Sequence, residues 1–439
     1  MIAYTISWTD PNEHLLDITI SFTAPADEPR LTLPAWRPGR YLIQNYAANI
    51  RQCAAADSGG DPLDIRKDAK SSWRISAKAG QELTVRYRYY AGILDAGSSF
   101  LDESEAYCNG SNLFMMVEGL RHEQTRLTVA APAEWRIETQ LPREDENTFV
   151  ARDYDHLIDS PTIAAPSFRR HSFLESGAAI HLIFIGAETI DTDQFIDPVH
   201  AIVRSQSKMF GGLPFSEYRF LTHIGEKWHG VEHEASCSIV AKRSDLLGAK
   251  KDDAGYDHFL LICSHEFFHL WNVKRILPAV FAPYDYSAET LTRLLWVIEG
   301  VTSYFAALTL VRAGLWTEKR YLKHLGSEIE TLENQPGREI LSLSQASFDS
   351  WLQNDAHDRA NALISFYNKG EMVAATLDLT ILQRSDGSKS LDDVMRLLWR
   401  DQKPLEEDGF ERAVVSICDV GDFFERYVHG TDPLPHQES

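Results

Sequence analysis

Apolar residues recur at every second position from the N-terminus to about residue 168. Leu16, Ile18, Ile20 and Phe22 alternate with Asp17, Thr19 and Ser21, and Leu83, Val85, Tyr87 and Tyr89 alternate with Thr84, Arg86 and Arg88. This is the pattern of half-buried antiparallel strands. Turn-rich pieces such as 34–40 and 57–62 separate them, so residues 1–168 read as a β-rich, sandwich-like domain. The period then changes. A strand over His181 to Ile185 is followed by a helix from near Pro198 to Phe210, stopped by Gly211 and Gly212, and by a strand through Tyr218 to Leu221. Beyond about residue 254 the 3/4 spacing of helices takes over. Leu322, Leu325, Ile329 and Leu332 form one stripe, and Ser390 with Asp393 forms a capping box ahead of Val394, Met395, Leu397 and Leu398. No internal repeat or low-complexity tract interrupts the chain, and residues 433–439 read as a frayed end.

Composition narrows the function classes. With 439 residues, 44% hydrophobic and 24% charged, the chain is too apolar for disorder and long enough for more than one core. Its 64 acidic and 43 basic side chains give a net charge of −21, which opposes a grip on nucleic acid or anionic lipid. No apolar run approaches the roughly 18 residues of a membrane span, and residues 1–7 resemble no signal peptide. Cys53, Cys108, Cys237, Cys263 and Cys418 are odd in number and never form a CxxC pair. A soluble, cytoplasmic protein in a reducing compartment is expected, with no nucleic-acid or membrane partner.

The candidate chemistry is concentrated in His265-Glu266-Phe267-Phe268-His269. The flanks are helical, with Phe259 to Ile262 before, Leu270 and Trp271 after, and Pro278 only beyond Lys274 and Arg275. On a helix, positions i and i+4 stack, so both imidazoles can reach one Zn²⁺ while Glu266 lies beside its open position. The competing reading is a chance pentapeptide whose histidines satisfy neighbouring polar groups. A third ligand argues against it: Glu299 lies in an apolar segment expected to be helical from a Ser287 N-cap to Gly314. A carboxylate is costly to bury there without a partner or a metal. His265, His269 and Glu299 therefore form a candidate His₂Glu site for one Zn²⁺ per chain.

HEFFHLWNVKRI followed by WVIEGVTSYF resembles the M61 glycyl aminopeptidase family of gluzincin metallopeptidases. Residues 229–233, HGVEH, occupy the place of the strand motif that reads GxMEN in the related M1 aminopeptidases, and 367–370, YNKG, match the family's YxKG element. The resemblance extends through LPAWRPGRY at 33–41 to about residue 435. It implies a thermolysin-like catalytic domain over 169–315 and an α-helical C-terminal part over 316–439. Glu232, with Gly230, is implied to bind the substrate's α-amine, and Tyr367 to face the carbonyl oxygen under attack. Glu266 is then the general base, and the implied activity is a zinc aminopeptidase acting on peptides, with small P1 residues such as glycine or alanine. His233 replaces the asparagine of the M1 motif. Many family members continue into a PDZ domain, whereas this sequence stops at Ser439.

Other conspicuous residues take plainer roles. Trp271 and Asn272 are expected in the core, Cys263 as a buried thiol, Lys369 as a solvated or structural lysine, and His229 and His233 as hydrogen-bonded histidines. An endopeptidase, with Glu232 incidental, and a non-catalytic peptide-binding zincin scaffold remain the rival readings. The oligomeric state stays open.

Overall fold

The computed structural model describes residues 1–352 and 361–435. Alternation builds the N-terminal region as expected. Leu15–Thr23 and Glu82–Tyr90 pair antiparallel within a seven-stranded sheet, where Ile2–Ser7 also joins Thr125–Ala130 in parallel. Two four-stranded sheets contribute to the same apolar cluster: one contains Arg30–Thr32 and Ser72–Ile75, the other Ala106–Cys108 and Thr162–Ala165. Tyr4, Ile18, Ile20 and Val85 are fully buried in that cluster. Removing such side chains from water, at about 1.5–3 kcal/mol each, is what holds strands of modest intrinsic preference together.

The next sheet is mixed. Its spatial order is Arg169–Glu175, Ala178–Ile185, Glu217–Gly225, Ser236–Lys242 and the antiparallel edge strand His229–Glu232. It is covered on both faces, which accounts for the continuous apolar run in Ala178–Ile185. Ile180, Leu182 and Phe184 join a cluster with the helices, whereas Ile183 and Ile185 pack against Tyr107, Ile163 and Phe168 of the N-terminal region. The helix Ile196–Phe210 ends at Gly211 in the left-handed conformation, φ 81°. Ala254–Phe268 packs on the strands His229–Glu232 and Ser236–Lys242 and on the helix Val301–Arg312.

The C-terminal helices share that cluster, which continues from Ile180 to Leu434. The capping box of Ser390 and Asp393 opens Leu391–Asp401. Two local expectations are corrected. Leu325, Ile329 and Leu332 of Glu318–Glu333 do face inward, but Leu322 is 65% exposed and Tyr321 takes its place in the stripe. Ser287 does not cap a helix: its amide and hydroxyl bind Asp285 Oδ1 in a turn, at 2.8 and 2.6 Å. The helical path begins near Leu295, where Ser347 Oγ accepts from the Trp296 amide at 3.1 Å. Of the expected frayed end, residues 436–439 lie outside the described residues. No helix among the described residues is long and apolar enough to cross a membrane.

Candidate active site

Ala254–Phe268 ends at its own functional residue. His269 is the C-cap, one turn beyond His265, so the two imidazoles project from the last turn toward the edge strand. Their Nε2 atoms stand 3.0 Å apart. Glu299 Oε2 lies 3.5 Å from His265 Nε2 and 3.3 Å from His269 Nε2. Three ligands bound tetrahedrally at the usual zinc distances would be separated by about 3.3 Å. The three spacings therefore suit a zinc-sized ion, and the donor set, two imidazoles and a carboxylate, suits its chemistry.

The groups behind these three side chains fix their aim. His269 Nδ1 donates to the Asn272 carbonyl at 2.8 Å, which fixes the ring and leaves Nε2 as the nitrogen aimed at His265 and Glu299. Ser303 Oγ is 3.5 Å from His265 Nδ1. Glu299 sits on a wide π-helical turn, Trp296–Gly300, and the Asn272 side chain donates to the carbonyls of Val297 and Ile298 at 2.7 and 3.2 Å. Wide turns of this kind free backbone carbonyls and recur at functional sites. Asn272 thus holds one imidazole and the glutamate's backbone, beyond the core role expected of it. Trp271 does belong to the core, stacked on Phe210 at 4.4 Å.

The edge strand brings its motif to the same place. Val231 faces Ala96 and Val240, so Gly230 and Glu232 face the helix. Gly230 passes so close to Glu266 that a Cβ there would stand 2.1 Å from Oε1. Polar atoms of Glu232, Glu266 and His269 lie within 4.8 Å of one another. Glu232 Oε1 and Glu266 Oε2 are buried and have no hydrogen-bond partner. Tyr367, N-cap of Asn368–Arg384, stacks 6.4 Å from His265. Its helix crosses the Glu299 turn where Gly370 meets Gly300, with no room for a Cβ on either. All seven residues singled out in the sequence are therefore brought together at one place.

Burial dominates the electrostatics. It raises Glu266, with Glu232 and Glu299 adding to the rise and the His269 charge opposing it, to about 8. For Glu299 burial acts upward too, but His269 and the bonds from both imidazoles hold it at about 2. His269 is correspondingly raised to about 10 against the pull of its burial. Tyr367 is 38% exposed as a residue, yet burial and the charges of Glu299, Glu232 and Glu266 raise its hydroxyl well above a normal tyrosine. Mutual perturbation of this kind makes the cluster a candidate functional site.

Several neighbours escaped the sequence pattern. Tyr41 donates to Glu299 Oε1 at 3.0 Å. Gly39, φ 77°, lies against Glu232, where a Cβ would approach Oε2 to 2.5 Å. Both belong to LPAWRPGRY, whose turn residues signalled only a loop. His229 and His233 are hydrogen-bonded as expected, to Asp95 and to Asp159. Cys263 is a buried thiol, raised by that burial. Lys369 is not solvated: it is 3% exposed, its Nζ has no hydrogen-bond partner, and burial with Arg338 nearby lowers it to about 8.

Known proteins resemble both halves of this arrangement. A family model described as the peptidase M61 N-terminal domain matches residues 3–166, and one described as M61 glycyl aminopeptidase matches residues 258–373. No curated protein matches the chain. Among solved structures, an aminopeptidase N family protein from Idiomarina loihiensis is 31% identical, with 99% of this chain and 77% of that one covered and a TM-score of 0.95. An M1 zinc metallopeptidase from Deinococcus radiodurans is 14% identical over 99% of this chain and 95% of that one, TM-score 0.61. A mutant of it bound to a Tyr-Ser-Ala substrate is also 14% identical over the same shares, TM-score 0.59. At that identity the M1 likeness shows the fold: mixed α and β, sheet-rich first and helical last.

Proposed function

We propose, from the premise that the chain belongs to the M61 glycyl aminopeptidase family of peptidases, that it is a zinc aminopeptidase with a thermolysin-like catalytic domain. The observation that carries the proposal is the convergence of His265 Nε2, His269 Nε2 and Glu299 Oε2 at 3.0–3.5 Å, with Glu266 and Glu232 beside them. These three would hold one Zn²⁺, whose Lewis acidity lowers the pKa of a water toward neutrality and polarises a carbonyl. The chain's own groups supply the rest. Glu266, whose buried Oε2 has no hydrogen-bond partner, would take the proton of the attacking water and return it to the leaving amine. The Tyr367 hydroxyl, which feels the charges of Glu299, Glu232 and Glu266, would donate to the developing oxyanion. Glu232 would receive the substrate's α-ammonium. That charge completes a carboxylate otherwise buried among other acids, and it sets the register at the first peptide bond.

The substrate class is small N-terminal residues, glycine or alanine, as the family resemblance implies. The test compares glycyl and alanyl amides with their N-acetylated forms, on protein assayed for zinc. Acetylation removes the ammonium and leaves Glu232 unpaired, a penalty of roughly 2–5 kcal/mol, so blocked substrates should be cut at least about 30-fold more slowly in kcat/KM. Glu232→Ala should erase most of that difference by slowing the free amides. Equal cleavage of free and blocked substrates would move the assignment to an endopeptidase, and zinc uptake without turnover to a peptide-binding scaffold.

A further inference from the structure

A buried carboxylate has more lone pairs than one cation can use, and those left over must meet donors or cost free energy. Glu299 is 2% exposed and divides its oxygens cleanly: Oε2 faces the two imidazoles, whereas Oε1 accepts from the Tyr41 hydroxyl at 3.0 Å. Tyr41 comes from 258 residues earlier in the chain, out of the N-terminal β region. Its ring is buried, stacked on Phe281 at 6.2 Å and set edge-on to Trp351 and Phe366 at 6.4 Å, so the hydroxyl has one direction in which to point. The loop that carries it is pinned in turn. Trp36 Nε1 donates to the Asp285 carbonyl at 2.8 Å, and the Ala35 amide to that of Tyr286 at 2.7 Å. The backbone beneath Glu299 is already held by Asn272. What remains is rotation of the carboxylate itself: Tyr41 donates to Oε1, and Tyr367 is the other hydroxyl that bears on this carboxylate.

We infer that Tyr41 is a positioning residue for the metal centre, which turns Oε2 of Glu299 to the ion and so links metal binding to the docking of the N-terminal region. The inference rests on the zinc reading of the site. Two consequences follow. Removing the hydroxyl weakens zinc binding, as loss of a hydrogen bond behind a ligand does, by about 10–100-fold. By reciprocity, bound zinc steadies the segment that carries Tyr41.

Tyr41→Phe keeps the ring and its packing and deletes only the donor. Tyr46→Phe is the matched control, because its buried hydroxyl, five residues on, has no hydrogen-bond partner. Zinc affinity would be measured by competition with a chromogenic chelator, together with the visible spectrum of the cobalt-substituted proteins and hydrogen exchange of residues 35–44 with and without zinc. Tyr41→Phe should lose about 10–100-fold in zinc affinity and shift the cobalt bands, while Tyr46→Phe matches the unmodified protein. Zinc should slow exchange over 35–44 in the unmodified chain and do so far less in Tyr41→Phe. Equal affinity and an unchanged cobalt spectrum in Tyr41→Phe, or equal losses in both variants, would overturn the role of Tyr41 and leave the zinc reading standing. Should Tyr41→Phe fail to fold, zinc-independent exchange over 35–44 in the unmodified chain overturns it alone. An unmodified protein that takes up no zinc would instead overturn the reading beneath it.

Discussion

The seven-stranded sheet and the two helical segments that carry His265, His269 and Glu299 handle polar side chains in opposite ways. Along Ile2–Ser7, Leu15–Thr23 and Glu82–Tyr90 no two successive residues are buried, and the charged residues Asp17, Arg86 and Arg88 fall on the open face. In the turn Trp296–Gly300 and at its continuation through Thr302 every residue is buried, Glu299 and Thr302 included, and the HExxH helix buries Ser264, Glu266 and His269 beside Phe267 and Phe268. A polar group on the open face of the sheet keeps its water and asks nothing of its neighbours. One inside the helix pair needs a partner, and Asn272, Tyr41 and Ser303 are those partners. Glu232 and Glu266 each keep a buried oxygen without one, and under the proposed function those are the two carboxylates a substrate would complete.

The largest expected effect falls on that unpartnered pair. Glu266→Gln keeps the shape and removes the proton acceptor, so kcat should fall by about 10²–10⁴ while zinc content holds. Because the amide is neutral where the carboxylate was buried, the variant should be no less stable than the parent. Retention of more than a tenth of the activity would mean that the proton goes elsewhere. In the sheet the opposite separation is expected. Ile18 is fully buried in a central strand, and Ile18→Ala should cost about 2–5 kcal/mol of stability, read as a lower Tm or denaturant midpoint, with zinc affinity and kcat at 25 °C unchanged. A parallel loss of zinc affinity would break the comparison, since the sheet would then be shaping the site directly.

The sequence was most legible where one period governs a whole element. The strands at 15–23 and 82–90 and the capping box at Ser390 are local patterns, and they stand where the periodicity puts them. The seven candidate site residues were legible for a different reason: each belongs to a short motif with its own chemical logic. What surrounds them was not, because it depends on contacts between distant segments. Tyr41 reads as one more aromatic in a turn-rich loop until Glu299 arrives from 258 residues away. Asn272 reads as the residue after a core tryptophan until the carbonyls of Val297 and Ile298 are brought to it. The start of the glutamate helix was misplaced at Ser287 because Asp285, two residues back, offers that serine a turn instead.

The smallest of the expected effects tests how tightly the Glu299 turn and the helix Asn368–Arg384 are joined. Gly300 and Gly370 meet backbone to backbone: a Cβ on Gly300 would stand 2.5 Å from both Cα and the carbonyl carbon of Gly370, and 3.0 Å from the Glu371 amide nitrogen. Two terms compete in Gly300→Ala. Alanine restricts the unfolded chain and favours the helix by about 1 kcal/mol over glycine, whereas an added methyl in a close-packed crossing costs about 1–3 kcal/mol. Here the obstructing atoms are helix backbone and cannot swing aside as a side chain would, so the clash should win. Net destabilisation of about 1–2 kcal/mol is expected. The displaced element is the helix whose N-cap is Tyr367, so kcat should fall as well, in contrast to Ile18→Ala, where stability changes alone. Thermal melts and kcat measured on the two variants side by side decide between them. A Gly300→Ala protein that melts higher and turns over normally would show slack in the crossing, and the placement of Tyr367 would then have to come from elsewhere in its helix.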